Sequence, residues 1–276
     1  MSMFTPTNIE APVRQRFDRP YVGWPYGGWQ VQVQKHPTAV GSDSVRKGMG
    51  SDTLELQLGL VGPRSGQGRV QDWVHRDLGA SSNFPHWEYQ VPDYVGFNAL
   101  YLKRRNYWLG PGNSWRGTFF GGTSLGNVAT FANAGAVLAF GNPGEELAAS
   151  TTIQPTSVPL ADLKLHDQRG AGTTDLRSNS QKAGDDARSS RKWALFVGTD
   201  QRYIWKSVFI EGRKEAAHDI TLVRHVYDIF AGFSVQLGKE HVFTYKHTRR
   251  SLEFRSSQPS VEKRHDIGQL AYELRF

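Results

Sequence analysis

The sequence predicts an all-β fold, an antiparallel transmembrane β-barrel of the outer-membrane type. The first observation is the C-terminal segment 270–276, where apolar and polar residues alternate: Leu270, Tyr272, Leu274 and Phe276 against Ala271, Glu273 and Arg275. Alternation of this kind places one strand face in an apolar medium and the other in a polar one. A last strand that ends on Phe resembles the assembly signal of outer-membrane barrels. An ordinary half-buried strand would alternate in the same way, so the remaining strands must distinguish a membrane barrel from a soluble sheet.

The second observation is the number and length of the predicted strands. Nine segments have strand character, near 29–34, 54–60, 94–107, 115–124, 128–141, 193–208, 227–237, 243–246 and 270–276. Several reach ten residues or more, whereas strands of globular sheets usually have about five or six. Alternating segments of about ten residues, edged by Trp and Tyr, are typical of transmembrane barrels. Because single-chain bacterial barrels usually have an even strand number, a total of nine is unusual.

The segment 142–192 differs from the rest of the chain. It is rich in Gly, Ser, Thr, Asp and Arg and poor in aromatic residues. We predict a long flexible connection within a single barrel domain 1–276, with a short element around 160–165. A linker between two domains is less favoured, because the strands on both sides are alike and neither half could close its own core.

Composition narrows the function classes. The 276 residues include no cysteine, which excludes disulfides and thiolate metal sites. The net charge of +7 indicates an anionic partner such as nucleic acid or a lipid surface. The basic residues are spread along the chain and form no nucleic-acid-binding motif, so no nucleic-acid partner is predicted. The absence of an apolar run of transmembrane-helix length and of an N-terminal signal peptide would by itself indicate a soluble protein. The strand pattern argues against that interpretation.

A candidate catalytic group lies in the segment 58–90. There an alternating strand meets a Gly-Pro turn and then a short helix, on which Gln71 and His75 are four residues apart and therefore share one face. Trp73 and Trp87 flank the site in the sequence. A histidine beside an orienting amide suits a general base. The alternative is that Gln71 and His75 only cap a surface helix.

Four motifs give the chain a resemblance to a known family. The segment VGPRSGQGRVQDWVHRDLG at 61–79 resembles the central motif of the outer-membrane lipid A 3-O-deacylase (LpxR-like) family. Phe4-Thr5-Pro6 followed by DRPYVGW at 18–24, FIEG at 209–212, and TRR with Glu253-Phe254 match the family in the same order. The resemblance therefore extends from Phe4 to Phe276.

The resemblance implies a fold, a reaction and a cofactor. Members of this family are twelve-stranded outer-membrane barrels with an active site at the outer rim. They hydrolyse the 3'-linked acyloxyacyl ester of lipid A, the membrane anchor of lipopolysaccharide, with the help of calcium. By resemblance, His75 is the base that activates water and Gln71 supports the site. A bound calcium ion would polarise the ester carbonyl.

The chain departs from the family pattern in two places. Where the family has a glutamate shortly after the histidine, this chain has Ser81 and Ser82, with Asp77 and Glu88 as possible substitutes. The chain also begins at what corresponds to the end of the third family strand, without the Asn-Asp pair near the metal, so no calcium ligand is assigned. We therefore expect the reading frame to continue upstream of Met1 with a signal peptide and about three strands, which restores twelve. On its own, the chain is not expected to be an efficient enzyme.

Two other functions fit parts of the pattern. A non-catalytic outer-membrane barrel, such as a pore or a structural protein, would keep the strands but would not need the helix that carries Gln71 and His75. A soluble β-sandwich or lectin-like module would need an apolar core between its sheets.

Overall fold

The computed structural model describes residues 2–9, 11, 13–35, 45–77, 86–109, 114–142, 192–212, 219–237, 241–262 and 264–274. Its strands are β1 (Ser2–Phe4), β2 (Val22–Trp24), β3 (Tyr26–Lys35), β4 (Val45–Lys47), β5 (Gly50–Val61), β6 (Tyr94–Leu109), β7 (Trp115–Gly126), β8 (Ala129–Asn142), β9 (Trp193–Ser207), β10 (Ile220–Leu222), β11 (His225–Leu237), β12 (His241–Arg250), β13 (Phe254–Ser256) and β14 (His265–Leu274). The helices are α1 (Gln67–Asp77) and the single turn α2 (Val208–Glu211), with short 3-10 turns at Pro63–Ser65, Trp87–Tyr89 and Pro259–Val261.

The nine predicted strands are the nine long strands of one antiparallel sheet. Its order is β14-β12-β11-β9-β8-β7-β6-β5-β3, and the short strand β4 adds to β6. Neighbours in chain order are therefore neighbours in the sheet, as in an up-and-down barrel. Within the described ranges, the outer edges of β3 and β14 pair with no further strand. The prediction of an all-β fold of the outer-membrane type is confirmed by this sheet together with the structural comparison given below.

The burial pattern of the strands is inside out compared with a soluble sheet. In β5, Leu58 is 59% exposed on the outer face, whereas its neighbour Gln57, on the inner face, is only 2% exposed. In β12, Thr244, Lys246 and Thr248 are buried, while the aromatic residues between them face outward. An apolar outer surface around a polar interior is expected of a barrel in lipid. Although the strands also bury a small apolar cluster around Phe120, Phe196 and Phe230, this arrangement differs from the continuous apolar core that the β-sandwich alternative requires.

Aromatic side chains border this apolar outer surface. At one end of the sheet, the rings of Trp115 and Phe140 lie 4.7 Å apart and those of Phe140 and Trp193 lie 5.9 Å apart. At the other end, Tyr203 and Trp205 are 5.1 Å apart. Aromatic girdles at both interfaces are a feature of transmembrane barrels, because amphipathic rings favour the headgroup level.

The connections sort to two ends of the sheet. We call the end where β5 finishes and β6 begins the α1 end. It carries 2–9, 13–25, 62–77, 86–93, 127–128, 208–212, 219–224, 251–262 and residue 264, because the antiparallel strands deliver all of these to the same side. At the opposite end, the predicted connection 142–192 and its element at 160–165 lie outside the described residues, apart from Asn142 and Lys192. No helix in the described parts of the chain is long and apolar enough to cross a membrane.

Leu56 provides a test of the membrane-facing surface. It lies near the middle of β5 and is exposed on the apolar face. We expect Leu56→Arg to destabilise the barrel by about 2–4 kcal/mol, because a guanidinium near mid-bilayer loses its hydration. The matched control is Gln30→Arg on β3, opposite Glu55 on the inner face, which should cost much less. Denaturant unfolding in lipid vesicles measures both, and equal losses would contradict the assignment of faces.

Candidate active site

Two glycines shape the turn that leads from β5 into α1. Gly62 has φ +99° and Gly66 has φ +72°, a backbone region that side chains with a Cβ rarely adopt. Pro63 opens the 3-10 turn between them. The turn is fastened to the segment before β6, where the backbone N–H of Arg64 donates to Asp93 Oδ1 over 2.7 Å. The Gly-Pro turn predicted from the sequence therefore sets the direction in which α1 leaves β5.

Helix α1 packs closely on both sides because a glycine lies at each of the two contacts. A Cβ at Gly23 of β2 would collide with the side chain of Gln67, which is buried at the start of the helix. A Cβ at Gly68 would lie 2.8 Å from Cγ of Trp87. The helix is thus held between β2 and the Trp87 ring, and its inner face is fixed relative to the barrel.

Trp87 also fixes the orientation of Gln71. The indole Nε1–H of Trp87 donates to Oε1 of Gln71 over 2.7 Å. Because an indole can only donate, the Gln71 carbonyl must face Trp87 and its amide NH₂ must face away. No hydrogen bond from that Nε2 to another described residue is present. The Trp87 ring is buried and lies 5.3 Å from the ring of Tyr21.

Tyr21 supports the same platform. Its hydroxyl donates to the carbonyl of Ile9 and accepts from the backbone N–H of His86. Burial raises the pKa of Tyr21, so the phenol stays protonated and able to donate. The chain from Tyr21 through Trp87 to Gln71 gives the candidate amide a rigid backing.

His75 lies one turn beyond Gln71 on the same face of α1 and is half-buried. The structure thus brings the two predicted site residues together on the side of the helix that faces Trp87 and β2. This arrangement differs from helix capping, because Gln71 is bound through its side chain to Trp87 and not to a helix end.

The possible substitutes for the family glutamate are either bound to another residue or exposed. Glu88 accepts from His86 over 2.7 Å, and this bond holds the pKa of Glu88 below its ordinary value. Asp77 is exposed at the end of α1. Ser81 and Ser82 lie outside the described residues.

A family model identifies the family of this chain. The family model described as "Outer membrane protein LpxR" matches residues 1–276. The chain belongs to this family. The solved structure of LpxR from Salmonella typhimurium superposes with a TM-score of 0.70 at 16% identity, over 99% of this chain and 80% of that chain, which shows the shared fold. No curated protein matches the chain.

The remaining LpxR family motifs meet in a buried ion network at the α1 end. Arg19, from the DRPYVGW segment, donates to Glu253 over 3.1 Å. Arg250 donates to Glu253 over 3.1 Å and to both carboxylate oxygens of Asp228 over 2.8 and 3.0 Å. Arg202 joins Asp228 to Asp200, and both of these carboxylates are fully buried. Burial alone would raise the pKa of Glu253, but Arg250 and Arg19 outweigh it and hold that pKa below its ordinary value.

Arg19, Arg202, Arg250 and Glu253 of this network form the polar floor of a cleft at the α1 end. Phe4, Phe131 and Phe209 supply its apolar wall. Phe209 comes from the FIEG segment, and its ring lies 4.7 Å from that of Phe4. Each arginine of the floor bonds to at least one carboxylate. From the sequence, these segments were recognisable only as motifs of the LpxR family. In the structure, residues from four distant parts of the chain meet at this cleft.

The described residues contain no group of three or more Asp, Glu or His side chains that could hold a metal ion. Calcium therefore stays a prediction from the family resemblance.

Proposed function

We propose that this outer-membrane protein of the LpxR family is an ester hydrolase that removes the 3'-acyloxyacyl group of lipid A. The observation that carries the proposal is the pairing of His75 with an oriented Gln71 on the inner face of α1. Its support is family membership, together with the position of α1 at the rim of a lipid-facing sheet, where a lipid ester could reach the helix.

The side chains suggest a division of work. His75 accepts a proton from water as the water oxygen attacks the ester carbonyl, and the carbonyl electrons move onto oxygen. The Gln71 Nε2–H, directed away from Trp87, donates to that oxyanion. When the intermediate collapses, the sugar oxygen leaves and takes the proton from His75. The products are a fatty acid and a free hydroxyl group on lipid A.

The proposal is tested by mass spectrometry of lipid A from cells that express the natural gene with its full reading frame. We expect a species that lacks the mass of the 3'-acyloxyacyl group and is absent from cells with the empty vector. Unaltered lipid A beside folded protein, shown by a heat-modifiability gel, would favour the non-catalytic barrel instead.

Calcium dependence is a separate prediction of the same proposal. Because the family resemblance implies calcium, although the described residues contain no cluster to hold it, we expect a calcium chelator to abolish deacylation by outer-membrane preparations. Added calcium should restore the activity, whereas added magnesium should restore less of it, because magnesium demands stricter geometry. Deacylation that continues at full rate in the chelator would remove calcium from the mechanism and leave the His75 proposal standing.

A further inference from the structure

The outer face of α1 is not used by the candidate active site. Val70 is 40% exposed and Trp73 is 54% exposed. These residues are three apart and therefore adjacent on the helix surface. Trp73 is about 200° around the helix from His75, so it lies on nearly the opposite side. Large apolar side chains exposed next to a site indicate an interaction surface.

Two arginines frame this apolar pair. Arg69 precedes Trp73 by four residues and Arg76 follows it by three, so both lie beside the indole on the same face. Both are exposed. Basic residues around an exposed Trp are characteristic of helices that lie in a membrane interface, where the ring sits at headgroup level and the cations meet phosphate.

The surface continues the lipid-facing wall of the barrel. Leu58 and Leu60 are exposed on β5, and Val95 and Phe97 are exposed on the neighbouring β6, all at the α1 end. Helix α1 begins seven residues after Leu60, across the tight turn fixed by Gly62 and Gly66. The apolar face of the sheet therefore reaches the level at which α1 starts.

We propose that the surface formed by Arg69, Val70, Trp73 and Arg76 is an interfacial anchor that binds the phosphate-bearing lipid headgroups of the leaflet at the α1 end. Binding requires no chemistry at His75 and stands apart from the proposed hydrolase activity. The purpose of the anchor does rest on the proposed hydrolase activity. By binding headgroups through the outer face of α1, the anchor holds His75, on the inner face, at a fixed depth near the headgroups.

The test follows the emission of Trp73 in reconstituted protein. The difference between wild-type and Trp73→Phe emission isolates this residue, and a heat-modifiability gel confirms that both barrels fold. Vesicles of phosphatidylcholine and phosphatidylglycerol carry bromine either near the headgroup or deep in the acyl chains. The difference between wild-type and Trp205→Phe emission gives the matched control signal, that of an exposed tryptophan of the barrel wall at the same end.

We expect the Trp73 component to be quenched by shallow bromine and protected from iodide in the water phase. Quenching by iodide without quenching by bromine would overturn the anchor, and quenching by deep bromine alone would overturn the headgroup position. We expect the double variant Arg69→Gln and Arg76→Gln to lose shallow quenching in these anionic vesicles. Unchanged quenching in that variant would overturn the role of phosphate. Each of these results is independent of whether the protein cleaves lipid A.

Discussion

Replacement of His75 by Ala should lower the rate of lipid A deacylation by about 10²- to 10⁴-fold, the range that a general base contributes. The barrel should still fold, because His75 lies on α1 and belongs to no strand of the sheet. Rates would be measured on outer-membrane preparations by mass spectrometry of lipid A, with a heat-modifiability gel for folding.

The matched control for this variant is His86→Ala. His86 is a second histidine at the α1 end, but its ring bonds to Glu88 and it lies outside α1. The control should keep nearly the wild-type rate. If folded His75→Ala protein deacylates as fast as the wild type, His75 is not the base. If both variants lose activity equally, the loss reflects damage to the α1 end and not the removal of a base.

Gln71 should behave as a weaker partner of His75. Gln71→Ala is expected to reduce kcat less than His75→Ala, because water can replace one amide donor. Trp87→Phe keeps an aromatic ring next to Gly68 but removes the indole donor that orients the amide. Its kcat should therefore fall while KM changes little, as expected for an interaction made mainly in the transition state.

The strand pattern could be predicted from the sequence because it is a local signal. In β5, alternation with period two is enough to show which residues face lipid, and β12 repeats it. Short strands were missed: β1 and β2 have three residues each and pair only with one another, so neither has room for alternation. The pairing of Gln71 with His75 was also predictable, because a helix brings residues four apart onto one face.

The partners of those residues could not be predicted in the same way. Gln71 is oriented by Trp87, 16 residues away and beyond the end of α1. Arg19 bonds to Glu253 across 234 residues. Contacts of this kind depend on how the whole sheet brings its connections to one end, and no periodicity in the chain records them. The family motifs marked the segments concerned but not their mutual contacts.

The buried ion network makes Asp228 a sensitive position of the barrel interior. Asp228 is fully buried and accepts from the guanidinium groups of both Arg202 and Arg250. Asp228→Asn keeps the shape of the side chain but removes its charge, leaving two buried cations with one carboxylate fewer between them. We expect a loss of about 3–5 kcal/mol in the free energy of unfolding, the usual result of breaking a buried ion pair.

The same substitution at the exposed Asp266 is a control that separates the effect of burial from the effect of removing a charge. Asp266 faces Arg249 at 4.0 Å and His247 at 3.6 Å, and all three side chains are at least half exposed. Because water screens exposed pairs, Asp266→Asn should change the unfolding free energy little. Denaturant titration in lipid vesicles would compare the two variants with the wild type. Similar losses at both positions would mean that burial adds nothing to the network. A large loss at Asp228 alone would show that the LpxR family motifs around Arg19, Arg250 and Glu253 act through a shared structural centre, since removing one of its carboxylates destabilises segments that are far apart in the sequence.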